Sequence, residues 1–230
     1  MTLAVLTRES GWNTGLHPLV PAGAEVVEVP VTETLYVSDS DVRLAVERLG
    51  DPARYRWLVV TSVRAQRAVA AVGDLLSPAL RTAVVGEATA TALREIGRDP
   101  DVVGDAGSQA LASAIDEGPV LFLGAAEPRA ELADELGRRA LALDSVAVYQ
   151  TRGRALSDDE RAVLERADVV FVAAPSAWRV LREYVTPSAL LVVPGETTAH
   201  EIGRDHAVVV GFDDTTASRI ARVLSGESKS

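Results

Sequence analysis

Short apolar segments alternate with segments of helical periodicity along this chain, and the alternation restricts the fold more than any other feature. Most apolar segments are continuous, which is typical of strands buried on both faces of a parallel sheet. Between them apolar residues recur at helical spacing, as at Val42, Val46 and Leu49. The pattern therefore predicts an α/β fold with doubly wound parallel sheets. The predicted strands are 3–6, 25–29, 57–60, 83–85, 120–123, 140–143, 169–172, 190–193 and 207–210.

Helix-terminus signals place helices between these strands. One predicted helix covers 88–96, and another starts at Pro128 and ends before Gly137. Ser157 and Glu160 have the spacing of a capping box, which predicts that a helix begins there. These signals agree with the alternation of strands and helices.

The same order of motifs occurs twice in the chain. Segment 58–69 matches segment 170–181 without a gap, and segment 84–90 matches segment 193–199. Each copy has a strand, a polar turn, a helix, a second strand and the motif Gly-x-x-Thr-Ala. A unit of about 110 residues is too long for a solenoid repeat. The repeat therefore predicts two copies of one α/β domain.

Two β-rich segments, 31–36 and 145–152, interrupt the domain pattern. Their residues alternate and include β-branched and aromatic side chains, as in exposed strands. If the chain crosses between two domains at both segments, the segments can pair as a short ladder. We therefore predict a discontinuous α/β domain of 1–30 plus 153–230, with 37–144 inserted as a second α/β domain. A cleft between such domains is a common place for a ligand.

Rare and absent residue types exclude several kinds of chemistry. The chain has no cysteine, which excludes disulfides, thiolate metal sites, iron–sulfur clusters and cysteine nucleophiles. Its one lysine, Lys229, lies near the C-terminus, so we expect no Walker phosphate loop, pyridoxal Schiff base or lysine general base. The histidines have no metal-binding spacing, and we predict no metal site.

Charge and hydropathy bear on partners and location. The formal net charge of −10 argues against general nucleic-acid binding, which depends on surplus Lys and Arg. No segment approaches the ~18–20 apolar residues of a membrane-spanning helix. The N-terminus lacks the basic and apolar regions of a signal peptide. We therefore expect a cytoplasmic protein that binds neither nucleic acid nor membrane.

Short motifs follow the predicted strands in a consistent order. They are Thr7-Arg8, the segments 60–69 and 85–93, Tyr149 within 148–151, and the segments 174–176 and 195–199. Each motif alone is common, but their order, the duplication and the paired linker segments together are specific. Over nearly its whole length the chain resembles the uroporphyrinogen-III synthase family.

The resemblance implies two flavodoxin-like domains joined by a two-stranded β linker, acting as a monomer without a cofactor. It also implies a reaction: the linear tetrapyrrole hydroxymethylbilane is cyclised to uroporphyrinogen III with inversion of the D ring, in tetrapyrrole (haem, sirohaem or cobalamin) biosynthesis. This chemistry needs a folded substrate, weak acid catalysis and stabilisation of a cation. Because the substrate carries many carboxylates, we expect a locally positive cleft despite the net charge.

The family carries a tyrosine at the position of Tyr149, which makes Tyr149 the candidate general acid. A tyrosine packed at a domain junction is the alternative. The other candidates lie at turns after predicted strands, where open α/β sheets bind ligands. For Ser62 and Ser176 simple helix capping is the alternative. The predicted substrate-binding residues are Thr7, Arg8, Ser62, Val63, Arg64, Gly86, Thr89, Arg129, Pro175, Ser176, Gly195, Thr197 and Thr198.

Two features depart from the family pattern. Ala174 stands where the family usually has serine or threonine, and the segment after Gly195 reaches its next glycine sooner than the segment after Gly86. These departures leave open a non-catalytic tetrapyrrole-binding or regulatory member of the same fold. A two-domain small-molecule binding protein is a further alternative. Arg152, beside the second linker, is an additional candidate for binding carboxylates.

Overall fold

The chain forms two compact units, each built on a sheet of mostly parallel strands. The computed structural model describes residues 2–9, 11, 13, 15–104, 108–127 and 130–226. Unit 1 comprises Met1–Glu33 and Thr151–Ser230, and unit 2 comprises Thr34–Gln150. No helix within the described ranges is long and apolar enough to cross a membrane.

From the third strand onward strands and helices alternate, as the apolar pattern predicts, whereas the first three strands follow one another without an α-helix between them in the described part of the chain. The strands are β1 (Leu3–Leu6), β2 (Glu25–Glu28), β3 (Thr32–Tyr36), β4 (Trp57–Val60), β5 (Arg81–Val85), β6 (Val102–Gly104), β7 (Val120–Ala125), β8 (Leu143–Gly153), β9 (Val169–Phe171), β10 (Leu190–Val193) and β11 (Ala207–Val210). The helices are α1 (Asp39–Arg48), α2 (Gln66–Ala71), α3 (Glu87–Glu95), α4 (Ser108–Ala114), α5 (Ala130–Arg138), α6 (Asp158–Glu165), α7 (Pro175–Leu181), α8 (Glu196–Ile202) and α9 (Asp214–Leu224).

The sheet of unit 1 has the strand order β11-β10-β9-β1-β2, with all neighbours parallel. Val5 of β1 packs in one buried cluster with Trp178 of α7. The next residue, Leu6, packs in a different cluster with Ile220 of α9. Because helices cover both faces of the sheet, every residue of β1 is buried, and the strand is a continuous apolar segment.

The sheet of unit 2 has the order β3-β8-β7-β4-β5-β6, and the strands from β8 to β6 are parallel. Leu58 of β4 packs in a cluster with Val69 of α2. Val59, which points to the other face, packs in a cluster with Leu111 of α4. Unit 2 therefore also has a core on each side of its sheet.

Strands β3 and β8 are neighbours at one edge of this sheet. The N–H of Val37 donates to the carbonyl of Val148 at 3.0 Å, and the N–H of Arg154 donates to the carbonyl of Val31 at 3.0 Å. The partner number falls along β8 as it rises along β3, so the two strands are antiparallel. On its other side β8 pairs in parallel with β7.

Most predicted strands are confirmed, with ends that differ by a few residues. The separate strand predicted at 140–143 is wrong, because one continuous strand, β8, begins at Leu143 and includes the linker segment. β6 is not among the predicted strands. It has three residues at the edge of its sheet, and none of them is buried, so no apolar segment marks it.

The end of α5 also differs from its prediction. The helix runs through Gly137 to Arg138, and Ala140 takes the left-handed conformation with φ 55°. The N–H of Leu141 donates to Leu136 and that of Ala140 donates to Gly137, both at 3.0 Å. These two bonds form a Schellman motif, which the burial of Leu136 and the packing of Leu141 against the same cluster stabilise. The packing, rather than the glycine, decides where α5 ends. The predicted start at Pro128 lies outside the described residues.

Candidate functional site

In unit 1 the predicted residues follow the carboxyl ends of three adjacent strands: β1, β9 and β10. Thr7, directly after β1, is fully buried, and its Oγ1 donates to the carbonyl of Phe171 at 2.5 Å. This bond joins the ends of β1 and β9 and occupies the hydroxyl donor. Arg8 comes next, with its Cζ 5.5 Å from the centre of the Phe212 ring. Arg8 therefore has a half-buried position at this edge, stabilised by a cation–π contact.

Asn13 is a candidate site residue that the sequence analysis missed. It is 1% exposed, and its Nδ2 donates to the carbonyl of Arg8 at 3.2 Å. Its Oδ1 has no hydrogen-bond partner within the described part of the chain. An asparagine in the loop after a first strand is a common turn residue, so the sequence carries no signal that separates this role from an ordinary turn.

The turn after β9 leads into α7 without a side-chain cap. The N-cap residue is Ala174, which lacks a side-chain acceptor, and Pro175 occupies the first helical position. Ser176 is at the second position, so the capping role considered for it is wrong. Both Pro175 and Ser176 are half-buried at the carboxyl edge of β9.

The turns after β5 and β10 are equivalent in the two copies of the repeat. Gly86 is the N-cap of α3 and Gly195 is the N-cap of α8, and no side chain among the described residues caps either helix. Gly86 has φ +77°, a conformation that favours glycine, whereas Gly195 is extended. Thr89 and Thr198 occupy the third helical position of their helices, and both are buried. Thr197, one position earlier in α8, is exposed.

The turn after β4 combines capping with a link to β3. Ser62 Oγ accepts a hydrogen bond from the N–H of Arg64 at 3.3 Å, which confirms the capping role considered for Ser62. Val63 begins the short 3₁₀ turn that follows. The Nε of Arg64 donates to Oγ1 of Thr34 at 3.0 Å. This bond holds the half-buried guanidinium of Arg64 against β3.

Tyr149 lies on β8, level with the carboxyl end of β7. The register pairs it with Ala125, and its carbonyl accepts a hydrogen bond from the N–H of Ala126 at 2.8 Å. The residue is 8% exposed and belongs to the buried cluster that includes Val60 and Leu123. Its ring is therefore packed in the core of unit 2. No hydrogen bond to its hydroxyl is found among the described residues, so that group is free to donate.

Several other helices have a side-chain N-cap, which the helices that begin at the candidate turns after β5, β9 and β10 lack among the described residues. α1 and α6 are capped by Ser38 and Ser157, and the predicted capping box with Glu160 is confirmed. α9 is capped by Asp213, which accepts from the N–H of Thr216 at 2.9 Å. That bond lowers the pKa of the Asp213 carboxyl. By contrast, the first-turn amides of α3, α7 and α8 have no side-chain acceptor in the described structure.

The charges around the candidate residues are partly satisfied within the chain. Arg152 forms an ion pair with Glu33, with Nε 2.8 Å from Oε1. Its guanidinium is therefore not a free binding group in this structure. Glu87, the first residue of α3, pairs with Arg94 of the same helix at 2.5 Å. Both ion pairs reduce the field at the sheet edges, and Arg129 lies outside the described residues.

Comparisons with known proteins bear on the family and the fold. Residues 18–210 match the family described as "Uroporphyrinogen-III synthase HemD". A mutant uroporphyrinogen III synthase from Thermus thermophilus superposes with a TM-score of 0.65 at 18% identity, covering 98% of this chain and 100% of that one.

Two further solved structures give similar results. Uroporphyrinogen-III synthetase from Helicobacter pylori 26695 has a TM-score of 0.63 at 18% identity and covers 96% of this chain and 98% of its own. The wild-type Thermus thermophilus enzyme has a TM-score of 0.53 at 19% identity, with 99% of each chain covered. No curated protein sequence matches. The family match covers well over half of the residues, and the chain therefore belongs to the uroporphyrinogen-III synthase family.

Proposed function

We propose that the turns at the carboxyl edges of the two sheets bind hydroxymethylbilane, the substrate that the family cyclises to uroporphyrinogen III. The observation that carries this proposal is the set of helix starts after β5, β9 and β10. The N–H groups of Thr89, Ala177 and Thr198 donate to the N-cap carbonyls. The remaining first-turn N–H groups have no side-chain acceptor among the described residues, and helix N-termini favour carboxylates. The substrate presents carboxylates along its length, and these can accept hydrogen bonds from such amides.

We propose that both units are flavodoxin-like domains, joined by β3 and β8 as a two-stranded linker. The strand order β2-β1-β9-β10-β11 is the 2-1-3-4-5 order of that fold. The order β8-β7-β4-β5-β6 matches it when β4 and β5 are equated with β9 and β10 through the repeat, although unit 2 reads 3-2-1-4-5 in its own chain order. The division of the chain within β3 and within β8 supports an inserted second domain. As the resemblance implies, we propose a monomer that uses no cofactor. We also propose the cytoplasmic location that the sequence analysis expects.

In the proposed reaction a pyrrole nitrogen of the substrate itself assists the loss of the hydroxyl group. The bond between carbon and the terminal hydroxyl breaks, and the lone pair of the adjacent pyrrole nitrogen stabilises the cation that forms. Tyr149 donates its phenolic proton to the departing hydroxyl, which leaves as water. The cationic carbon bonds to the D-ring carbon that already carries the bridge to ring C, which gives a spiro intermediate. That bridge bond then breaks and re-forms at the free α-carbon of the D ring, so the ring is inverted, and the proton lost from that carbon restores the phenol. The protein's main task is to hold the two ends in the geometry that inverts the D ring.

In this proposal the charges close to the binding turns, rather than the net charge of the chain, determine whether a polycarboxylate binds. Arg8 and Arg64 lie at the two carboxyl edges, next to the proposed binding turns. Away from these edges arginines pair with carboxylates of the chain, as Arg81 does with Asp116 at 2.9 Å. A net charge of −10 is therefore compatible with a polycarboxylate substrate.

The test is incubation with freshly generated hydroxymethylbilane, followed by oxidation and chromatographic separation of the isomers. We expect uroporphyrinogen III, formed faster than spontaneous closure forms isomer I. Isomer I alone, at the spontaneous rate, would contradict the proposal. Tight binding of uroporphyrinogen III without turnover would instead favour the non-catalytic member that the Ala174 departure leaves open.

A further inference from the structure

A concave site lies on unit 1, at the amino edge of its sheet. A cavity of about 660 Å³ opens where β9, β10 and β11 begin, and Asp168, Leu190 and Ala207 line it there. The proposed substrate-binding turns follow the opposite, carboxyl ends of these parallel strands. A four-residue strand is about 13 Å long at about 3.3 Å per residue. The cavity is therefore separate from the proposed substrate site.

Two arginines of α9, Arg219 and Arg222, form one wall of this cavity. They are three positions apart, so they lie on the same face of the helix. Neither has a carboxylate partner among the residues that the structure describes. Elsewhere in unit 1, Arg154 pairs with Glu160 at 2.5 Å. In so acidic a chain, two neighbouring guanidinium groups that line one cavity and have no carboxylate partner within the described ranges indicate a place for an external anion.

The rest of the polar lining suits hydroxyl groups. One carboxylate oxygen of Asp168 accepts the N–H of Leu3 at 2.8 Å, which fixes the side chain. Asp168 lines the cavity, where its carboxylate would attract a hydroxyl and repel an anion. Ser188, also on the cavity wall, has a hydroxyl 3.0 Å from that of Thr186. The cavity thus has a cationic side and an acceptor side.

We propose that this cavity binds a hydroxylated phosphate monoester, such as a sugar phosphate. The phosphate would lie between Arg219 and Arg222, with hydroxyl groups toward Asp168 and Ser188. A phosphate monoester carries a charge of about −1.5 to −2 at neutral pH, which balances two guanidinium groups. The volume exceeds the needs of a lone ion and lies within the ~300–1,000 Å³ typical of small-molecule sites.

The experiment is calorimetric titration of the whole chain at constant ionic strength with ribose 5-phosphate, ribose and inorganic phosphate. The test variant is Arg219→Gln/Arg222→Gln. The matched control is Arg182→Gln/Arg204→Gln, which removes the same charge from exposed positions outside the cavity lining. We expect saturable binding of ribose 5-phosphate, weakened about tenfold for each cavity guanidinium removed and within about twofold of wild type in the control. Ribose should not bind.

Three results would overturn the proposal: no saturable binding by wild type, unchanged binding in the cavity variant, or equal loss in both variants. Inorganic phosphate binding as tightly as ribose 5-phosphate, with no response to Asp168→Asn, would refute the hydroxylated ligand. Formation of uroporphyrinogen III is measured on the same samples. Because the cavity residues lie outside the proposed substrate site, that activity should be retained, and its loss would bear on the proposed function instead.

Discussion

Replacement of Tyr149 by phenylalanine tests the proposed reaction with little effect on the fold. The ring is 8% exposed and packs in the core of unit 2, and phenylalanine keeps that packing. The hydroxyl has no hydrogen-bond partner among the described residues, so its removal leaves no buried group unpaired. We therefore expect the free energy of unfolding to change by less than about 0.5 kcal/mol. Tyr149→Ala, which also removes the ring, should cost about 3–5 kcal/mol.

The expected effect of Tyr149→Phe on catalysis is larger but incomplete. Loss of a general acid typically costs about 10²–10⁴-fold, but here the pyrrole nitrogen supplies much of the driving force for hydroxyl loss. We expect kcat to fall about 10–100-fold, which is about 1.4–2.7 kcal/mol of transition-state stabilisation. As the enzymatic rate falls, spontaneous closure competes, and the fraction of isomer I in the product should rise.

The assay measures initial rates and isomer ratios after oxidation, with unfolding in urea measured on the same preparations. Tyr36→Phe is the matched control, because Tyr36 lies on β3 and is 49% exposed. It should leave the rate and isomer ratio unchanged. An unchanged kcat in Tyr149→Phe would refute the acid role. A complete loss with an intact fold would refute the view that activation comes mainly from the substrate.

Three other predictions concern stability, all measured by urea denaturation. Ala140→Gly removes the strain of a left-handed alanine, and Gly137→Ala replaces a helical glycine whose Cβ position is open. Each should raise the free energy of unfolding by about 0.5–1 kcal/mol. A decrease in either variant would contradict the described end of α5. Gly124→Ala should destabilise by about 1–3 kcal/mol, because its Cβ would lie 2.1 Å from a buried phenylalanine ring. Arg154 lowers the pKa of Glu160 to about 2. The contribution of this ion pair to the free energy of unfolding is therefore complete above the ordinary pKa of 4.5 and is lost as pH falls toward 2. Glu160→Gln should lower the free energy of unfolding by about 1–2 kcal/mol at pH 7 and abolish this dependence on pH. If the variant keeps the same loss of stability between pH 4.5 and 2, Glu160 is not its source.

Much of the fold could be predicted because local patterns and burial agree. β1 and β10 are apolar at every position since helices cover both faces of their sheet, so their periodicity identifies them without other information. The capping box at Ser157 is a local arrangement, and it forms as its spacing predicts. β6 is short and partly exposed at a sheet edge, and such a strand leaves no comparable signal.

The candidate site was predictable as a set of turns but not as a set of contacts. The Gly-x-x-Thr-Ala motif identifies the starts of α3 and α8, because glycine and threonine act there through local backbone geometry. It does not reveal that Thr89 and Thr198 are buried. The packing of Tyr149 likewise depends on residues of β4 and β7, far away in the sequence.

The sequence by itself determined the element types, their order and the duplicated strand–turn–helix pattern, because these follow from periodicity and turn chemistry within a few residues. Tertiary structure decided which polar groups are already in use. The hydroxyl of Thr7 is bound by the carbonyl of Phe171, and the guanidinium of Arg152 by Glu33. It also decided that α5 ends at a left-handed alanine, since Leu136 and Leu141 pack into a core formed by distant strands. Such choices depend on partners more than a hundred positions away or on the shape of the assembled core, and no local pattern encodes them.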